Sequence, residues 1–360
     1  MKISYRLSYE KNQYGFTLIE LMVSMVLGLL ISAAVMQVYI INVKTAGIQN
    51  SASGLVENTA FNVPIVERKI RLASLGLANK NKDNEIGAGI ILTNTNLKNS
   101  TDIDDTGLPK SITIGVNPVE VALFTHTGDQ VDSVWNGASN FNLKSGQLTI
   151  QYRAPQHMYD CEGKLALGPR RVKIGGVQET IDGQVIIERF YLKAPDPAKP
   201  TEISLYCDAG KYITEIMDDY AEQSMPEKKL STAVNFLANN AIKDFGNAGT
   251  EIITNVDYFD ILLTTMKDAD LPTTVQGDNT LRYYTVKDYL ALLPEVKPVI
   301  VGIKYGLILS SDNAVLTEDS PSTFNVLGNT LTLKAGVNKK YIRTVVESDV
   351  TLRNASKQNK

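Results

Sequence analysis

The chain has 360 residues, of which 43% are apolar and 21% charged, so it can bury a sizeable core and is unlike a disordered chain. Its formal net charge is −3, which argues against the basic surface that binds the phosphates of nucleic acids. We therefore expect a folded protein with no direct nucleic-acid binding.

The N-terminus combines a short basic stretch with a long apolar one. Residues 1–15 contain three basic side chains and one acidic side chain, namely Lys2, Arg6, Lys11 and Glu10. From Phe16 to Ile41 the only charged residue is Glu20. A helix of this length, rising about 1.5 Å per residue, crosses a hydrocarbon core of about 30 Å. Because basic residues stay in the cytoplasm, the sequence predicts a single-pass membrane protein whose body faces outward, into a bacterial periplasm.

Three interpretations of this apolar segment compete. The first is a secretory signal peptide, cut at a small-residue site such as Ser32-Ala33-Ala34. The second is a plain anchor, in which Glu20 is only a carboxylate that the dipole favours near a helix N-terminus. The third places a cleavage junction between Gly15 and Phe16 and keeps the apolar helix on the mature protein. An ionised acid inside a bilayer costs on the order of a few kcal/mol, so Glu20 should have a partner or a function.

The stretch Gly-Phe-Thr-Leu-Ile-Glu-Leu-Met-Val, residues 15–23, resembles the processing motif of type IV prepilins, and the basic leader before it has the expected length. The resemblance implies that a prepilin peptidase cuts after Gly15 and that the new terminal amine of Phe16 is methylated. It also implies that Glu20 serves assembly, because its carboxylate would meet the methylated ammonium of Phe16 on an adjacent subunit.

Apolar residues continue at helical spacing after the membrane segment, at Leu55, Val63, Val66, Ile70, Ala73 and Leu77. This pattern predicts one helix from Phe16 to about Leu75, whose second half packs against a globular head. Pro64 removes a hydrogen bond and predicts a kink, and Gly54 is a second weak point. The predicted organisation is a leader at 1–15, a transmembrane helix at 16–41, an amphipathic half at 42–77 and a head at 78–360.

The remaining chain is rich in β-branched and aromatic runs bounded by turn residues, which predict strands. The predicted strands are Ser111–Asn117, Val119–Phe124, Leu148–Arg153, Gln184–Lys193, Glu202–Cys207, Ile252–Thr265, Val299–Leu309, Thr330–Lys334 and Lys340–Leu352. Strands that do not alternate regularly with helices favour antiparallel sheets. The predicted fold class is α+β, with a long N-terminal helix, half transmembrane and half amphipathic, packed on a mainly antiparallel β-sheet head.

One further helix is predicted among the strands. Ser224-Met-Pro-Glu227 has the spacing of a capping box, and Gly246 supplies a C-terminal stop. The apolar residues between them follow helical spacing, at Leu230, Val234, Leu237, Ala241 and Phe245. This apolar face could pack on the head or bind a partner, and the sequence leaves both open.

Several later segments resemble PilW-type minor pilins of the type IV pilus, namely Leu55–Phe61, Arg68–Ala73, Val185–Tyr191, Leu205–Cys207, Val256–Leu262, Val299–Lys304 and Thr344–Asn354. This resemblance implies a minor pilin that primes pilus assembly in a low-copy tip or initiation complex and helps to present a tip adhesin. The implied partners are the prepilin peptidase, other minor pilins, the major pilin, the adhesin and the inner membrane. Such a pilus would serve twitching motility, cell adhesion or DNA uptake, and the sequence leaves all three open.

Two alternatives to the minor pilin remain. A pseudopilin of a type II secretion system shares the N-terminal motif, although its head is usually smaller. The other alternative belongs to a different class: a membrane-anchored periplasmic binding domain or enzyme, in which the motif is a coincidence. The implied location of a minor pilin is the bacterial inner membrane, with the head in the periplasm, and then the pilus at the cell surface.

Cys161 and Cys207 form either one disulfide or two buried thiols, and an oxidising periplasm favours the bridge. By loop entropy such a bridge stabilises the fold by at most about 4 kcal/mol. The alternative is a zinc site made of His157, the two cysteines and His126, but no helical pattern aligns His157 with Cys161. We predict the disulfide and no metal site.

Two other motifs lack essential members. Asp102-x-Asp104-Asp105-x-Gly107 resembles the start of an EF-hand loop, yet Thr106 and Thr113 occupy two ligand positions, so a solvated turn is predicted. His126 and Asp129 are accompanied by no nucleophile motif. The sequence therefore predicts a protein that is not an enzyme and needs no cofactor.

Overall fold

The chain forms two compact units, Met1–Asn50 and Ser51–Lys360. The computed structural model describes residues 15–77, 81–129, 135–174, 177–214, 221–222, 241–266 and 281–353. The first unit is helical from Leu18 onward, and the second contains the end of this helical segment and all described strands.

The N-terminal helical segment consists of α1 (Leu18–Glu57), a π-helical turn (Asn58–Asn62) and α2 (Val63–Ile70). In the first unit every described residue of α1 is exposed except Gly47, which is half-buried. The prediction of one long N-terminal helix is confirmed. It ends at Ile70 rather than near Leu75, because the chain then turns tightly and Ser74 and Gly76 both adopt a φ of 68°.

A π-helical turn precedes Pro64, the residue at which the sequence predicts a kink. Pro64 has no N–H to donate to the preceding turn, so a regular α-helix would lose a hydrogen bond there. The backbone instead widens by one residue, and the N–H of Val63 donates to the carbonyl of Asn58. The helical path is thereby continued into α2 with Pro64 in its first turn.

Among the described residues, twenty strands and one further short α-helix, α3 (Val286–Leu290), follow. The strands are β1 (Lys98–Ile103), β2 (Pro109–Ser111), β3 (Thr113–Ile114), β4 (Asn117–Pro118), β5 (Gln147–Arg153), β6 (Met158–Tyr159), β7 (Leu165–Ala166), β8 (Arg170–Ile174), β9 (Val177–Ile181), β10 (Val185–Lys193), β11 (Ser204–Tyr212), β12 (Ala221–Glu222), β13 (Ala241–Ile242), β14 (Thr250–Ile253), β15 (Val256–Met266), β16 (Arg282–Tyr284), β17 (Val299–Ala314), β18 (Thr323–Val326), β19 (Asn329–Thr332) and β20 (Tyr341–Thr351).

Two four-stranded sheets organise the second unit. The first has the order β14-β11-β10-β5, and the second has the order β16-β15-β17-β20. In the first sheet Phe190 pairs with Cys207 and Leu148 on its two sides. All described strand pairs are antiparallel except β13 with β3, so the predicted α+β class with a mainly antiparallel head is confirmed.

One apolar core joins the end of the helical segment to both large sheets. The helical segment and the turn after it contribute Leu55, Val63, Val66, Ile70 and Ala73. Alternate residues of β10 and β17 supply the sheet side, among them Ile186, Phe190, Ile303, Leu307 and Leu309. The period of two in these strands places every second side chain on the same face, as the sequence predicted for β17. Burying this face against an amphipathic helix is what holds the helix on the head.

Three predicted strands differ in the structure. Val119–Phe124 is not a strand but contains a 3₁₀ turn, Val121–Leu123, which lets both Val119 and Phe124 point into a second apolar cluster. Ile252–Thr265 is divided between β14 and β15, which belong to different sheets. The break lies at Asn255, whose φ is 55°, a left-handed conformation that asparagine tolerates better than most residues.

The predicted strand Ser111–Asn117 is likewise interrupted, since Gly115, with a φ of 61°, turns the chain between β3 and β4. Most of the helix predicted from Ser224 lies outside the described residues. Its last residues are described and are not helical, because Ala241 and Ile242 form β13 and pair with β3. Burial of Ile242 and Phe245 in the second cluster outweighs the helical spacing there.

Candidate processing and assembly site

The predicted cleavage junction lies in the three described residues that precede α1. Gly15, Phe16 and Thr17 have no regular secondary structure, and Phe16 is 88% exposed. A Cβ added to Gly15 would meet nothing within 4 Å, and the φ of Gly15 is not positive. Neither packing nor backbone conformation therefore requires glycine at this position.

Glu20 and Thr17 cap the N-terminus of α1 reciprocally. The backbone N–H and the hydroxyl of Thr17 each donate to Glu20 Oε2 at 3.0 Å. In return the backbone N–H of Glu20 donates to Thr17 Oγ1 at 3.3 Å. Threonine at the N-cap and glutamate three residues later is the capping box, which satisfies backbone donors that a helix start leaves free.

Thr17 is the residue of this site that the sequence-based predictions omitted. Its Thr-x-x-Glu spacing before an apolar run was the available signal. The cap gives the carboxylate of Glu20 hydrogen-bond donors from its own chain. A single chain can thus hold this acid at the start of an apolar helix, where the helix dipole favours a negative charge.

The helix that follows has the length and composition of a membrane span. Leu18–Ile70 contains a window of mean hydropathy 2.4, and none of that window is buried within the protein. Large apolar side chains are exposed along it, among them Leu18, Met25, Leu29, Ile31 and Tyr39. Water is a poor solvent for such a surface, so this segment requires lipid or other apolar helices around it.

Cys161 and Cys207 are joined by a disulfide, with their Cα atoms 6.2 Å apart. A sulfur in a disulfide is not a thiolate and cannot ligate zinc, so the alternative zinc site is not formed. His157 is exposed, whereas His126 stacks on Trp135 with ring centroids 5.5 Å apart. Within the described ranges no three His, Cys, Asp or Glu side chains converge as a metal site would require.

The loop that resembles an EF-hand is a turn between β1 and β2. Asp104 Oδ1 accepts hydrogen bonds from the backbone N–H groups of Thr106 and Leu108 at 2.9 and 3.0 Å. It also accepts one from the hydroxyl of Thr106 at 2.6 Å. The pKa of Asp104 is lowered, first by the Thr106 hydroxyl. The carboxylate is thus used to close the turn, as the sequence predicted for a solvated loop.

A buried acid in the second sheet has an unusual environment. Asp260 accepts hydrogen bonds from the backbone N–H groups of Gly128 and Ile261 at 3.0 and 2.9 Å and from the Tyr258 hydroxyl at 3.0 Å. Burial nevertheless raises the pKa of Asp260 to about 7. The side chain joins β15 to the loop at Gly128, and no nucleophile or metal ligand accompanies it among these contacts.

Comparison with known proteins supports the N-terminal part of this site. Residues 11–36 match the family model described as the prokaryotic N-terminal methylation motif, and the match includes Gly15, Phe16 and Glu20. No curated protein matches the chain. Among solved structures, a type IV-like pilin from Thermus thermophilus is similar with a TM-score of 0.34 and 9% identity, covering 84% of this chain and 97% of its own.

Proposed function

We propose that this chain is a type IV prepilin-like protein that is cut after Gly15, methylated at Phe16 and assembled with other subunits through its N-terminal helix. The observation that supports this most directly is the methylation motif at residues 11–36, whose glutamate lies at the exposed start of an apolar helix. The motif supports a pilin or pseudopilin role, and that role is structural rather than catalytic.

The proposed assembly step exchanges one partner of Glu20 for another. Before assembly, Thr17 holds the carboxylate within the same chain. Hydrolysis of the Gly15–Phe16 peptide bond frees the Phe16 nitrogen as an ammonium, which a methyl donor then methylates, one residue before the N–H that already binds Glu20. The ammonium of a neighbouring subunit then pairs with Glu20, and this attraction is strong because the surroundings are apolar. Contacts between the exposed apolar helices supply the remaining stabilisation.

The finer proposal is a minor pilin of the PilW type. It rests on the resemblance of the head segments and on size, since a mature chain of about 345 residues is large for a repeating filament subunit. Such a protein would prime pilus assembly in a low-copy tip or initiation complex and help to present a tip adhesin. It would lie in the inner membrane with its head in the periplasm, bind other minor pilins and the major pilin, and then enter the pilus.

Mass spectrometry of the mature protein tests the proposal. A host with an active prepilin peptidase should yield a chain that begins at N-methyl-Phe16, and deletion of the peptidase should leave the leader attached. A mature chain that keeps Met1, or one that begins at Val35, would contradict it.

Deletion of the gene separates the pilin from the pseudopilin. Loss of surface pili, with secretion intact, supports the minor pilin. Loss of a secreted protein, with pili intact, supports a pseudopilin of a type II secretion system. The N-terminal chemistry is the same in both cases, so this second experiment is needed even when Phe16 is methylated.

A further inference from the structure

The disulfide belongs to a small hairpin that lies between the helical segment and the first sheet. This cysteine hairpin, Met158–Ala166, is formed by β6 and β7. Its residue Cys161 is bonded to Cys207 in β11, and Cys207 is fully buried. Met158 and Cys161 pack against the core that also contains α2. The bridge therefore fixes the hairpin at the place where helix and sheet meet.

The cysteine hairpin also contributes two backbone groups to a buried ionic cluster. The N–H of Cys161 donates to Glu188 Oε1 at 2.7 Å. The carbonyl of Tyr159 accepts from Lys69 Nζ at 2.8 Å. Lys69, in α2, pairs with the same Glu188 oxygen at 3.0 Å, and the Tyr152 hydroxyl donates to it at 3.1 Å. One hairpin thus holds both partners of the ion pair that joins α2 to β10.

The ion pair between Lys69 and Glu188 is sensitive to the position of the cysteine hairpin, because Glu188 is buried and needs its hydrogen-bond donors. Glu188 is fully buried, and burial raises its pKa, whereas the Lys69 ammonium opposes that shift. In the described structure Glu188 Oε2 has no hydrogen-bond partner, so the carboxylate depends on the three donors to Oε1. Losing one donor to a buried charge is expensive, because water does not replace it.

The acidic residue next to each cysteine also forms a buried ion pair. Asp160 pairs with Lys211 at 3.0 Å, and Asp208 pairs with Arg189 at 3.0 Å. Asp160 also accepts from the N–H groups of Glu162 and Lys164, which shapes the turn of the hairpin. The Asp160–Lys211 pair forms only while the hairpin lies on β11, whereas Arg189 and Asp208 are cross-strand neighbours within the first sheet. Opening the bridge would therefore disturb two buried ion pairs, Lys69–Glu188 and Asp160–Lys211.

We propose that the Cys161–Cys207 disulfide is a latch that holds α2 on the head through Glu188 and Lys69. Reduction of the bridge would free the cysteine hairpin, remove the Cys161 N–H from Glu188 and the Tyr159 carbonyl from Lys69, and so loosen α2. The inference concerns the second unit alone and does not rest on the proposed function. The competing account is that the apolar contacts of Val66 and Ile70 hold α2 whether or not the bridge is closed.

Amide hydrogen exchange of the full chain in detergent micelles tests the latch. Dithiothreitol reduces the bridge: the disulfide takes up two electrons and two protons to give two thiols, and the dithiol of the reagent closes to its own disulfide. Exchange at the amides of α2 should become about tenfold faster, as expected when a buried charged hydrogen bond is lost. Exchange in β17, whose backbone is paired on both sides with β15 and β20, is the internal reference.

A double-mutant cycle shows whether the effect passes through the cluster. In Lys69→Met the α2 amides should exchange fast already, and reduction should add less than about twofold. Arg71→Met is the matched control, because Arg71 is exposed and pairs with Glu67 on the same helical segment, so the variant should respond to reduction as the wild type does. A reduction effect that is equally large in Lys69→Met overturns the proposal, as does unchanged exchange in α2 or an equal acceleration in β17.

Two variants replace the reductant where it does not reach the bridge. The double variant Cys161→Ala with Cys207→Ala supplies the open state directly. If that chain does not fold, Glu188→Gln keeps the bridge and the Cys161 hydrogen bond but leaves Lys69 without its carboxylate. Faster exchange confined to α2 supports the latch, and exchange like that of the wild type contradicts it.

Discussion

Glu20, in the first compact unit, and Glu188, in the second, are both acids within apolar runs. The partner of Glu20 lies close to it along the chain, whereas the partner of Glu188 lies far away. Glu20 is capped by Thr17, three residues away. Glu188 is paired with Lys69, 119 residues away. The first carboxylate is exposed and the second is fully buried. The comparison shows two ways of placing an acid in an apolar environment: hydrogen bonds made locally, and an ion pair made by tertiary packing.

The exposed carboxylate of Glu20 is available to a new partner, whereas the buried carboxylate of Glu188 is not. The carboxylate of Glu20 lies at the exposed start of α1, where another molecule could displace Thr17. The carboxylate of Glu188 is enclosed by Lys69, Tyr152 and the backbone of Cys161. We therefore expect changes at Glu20 to act on assembly and changes at Glu188 to act on the stability of the head.

The largest effect is expected from Glu20→Gln. Glutamine keeps an oxygen that can accept from Thr17, but it has no charge for the Phe16 ammonium of a neighbour. The variant should enter the membrane normally, while its amount in sheared surface fibres falls by more than about tenfold, as expected when one partner of a buried charge pair is removed. Immunoblots of the membrane and fibre fractions measure this, and normal incorporation would contradict charge pairing.

The next effect is expected from Lys69→Met. Removing the cation leaves Glu188 buried and uncompensated, which should lower the free energy of unfolding of the head by about 3–5 kcal/mol. Adding Glu188→Gln should restore part of the loss, since both charges are then gone. Arg71→Met is the control and should cost less than about 1 kcal/mol, because its ion pair with Glu67 is exposed. Denaturant unfolding of the full chain in detergent separates the three variants.

A third prediction concerns the pH dependence of stability. It extends the comparison to Asp260, a buried acid that accepts hydrogen bonds from the uncharged groups of Gly128, Ile261 and Tyr258. Because burial raises the pKa of Asp260 to about 7 from its ordinary 3.8, the folded state binds a proton between these values that the unfolded state has lost. Asp260 therefore makes the head progressively less stable as pH rises from about 4 to 7, by on the order of a few kcal/mol.

Asp260→Asn should remove this dependence. Asparagine is neutral at every pH, its oxygen can accept from Gly128 and Ile261, and its amide can donate to the Tyr258 hydroxyl. The variant should be more stable than the wild type at pH 8 and similar to it at pH 4. Unfolding curves at a series of pH values measure the difference, and parallel curves for the two chains would show that Asp260 is already ionised.

The smallest effect is expected from Thr17→Ala. The change removes the cap but leaves the charge of Glu20, so it should destabilise the first turn of α1 by about 1 kcal/mol. Hydrogen exchange at the amides of Leu18–Leu21 should show this as faster exchange. Fibre incorporation should fall far less than in Glu20→Gln. Equal losses in the two variants would mean that the cap, and not the charge, governs assembly.

Parts of the fold that depend on patterns of neighbouring residues could be predicted from the sequence, whereas parts that depend on one special residue or on distant segments could not. The helix from Leu18, the strand β10 and the strand β17 could be read from composition and period, because each pattern repeats within a few residues. The division of β14 from β15 could not, since it depends on a single left-handed residue, Asn255. The helical spacing of the sequence predicts a helix at Ala241 and Ile242. Their pairing with β3 could not be predicted from that spacing, because β3 lies far away along the chain.

The candidate site shows the same limit. Gly15, Phe16 and Glu20 were identified by their motif, and Thr17 could have been, since all four lie within one stretch of the chain. The sequence also suggested that Cys161 and Cys207 are paired. Nothing in it connected that pair to Lys69, because an isolated lysine on an amphipathic helix usually faces solvent.

The sequence predicts an apolar N-terminal helix with an acid near its start, a methylation motif that overlaps this start, and a strand-rich body after the helix. Those properties depend on neighbouring residues and need no knowledge of the fold. Three properties are visible only in the folded structure: which charges are buried, which strands share a sheet and how α2 is held on the head. Burial and ion pairing depend on which distant segments meet, whereas a sequence pattern records only what lies close along the chain.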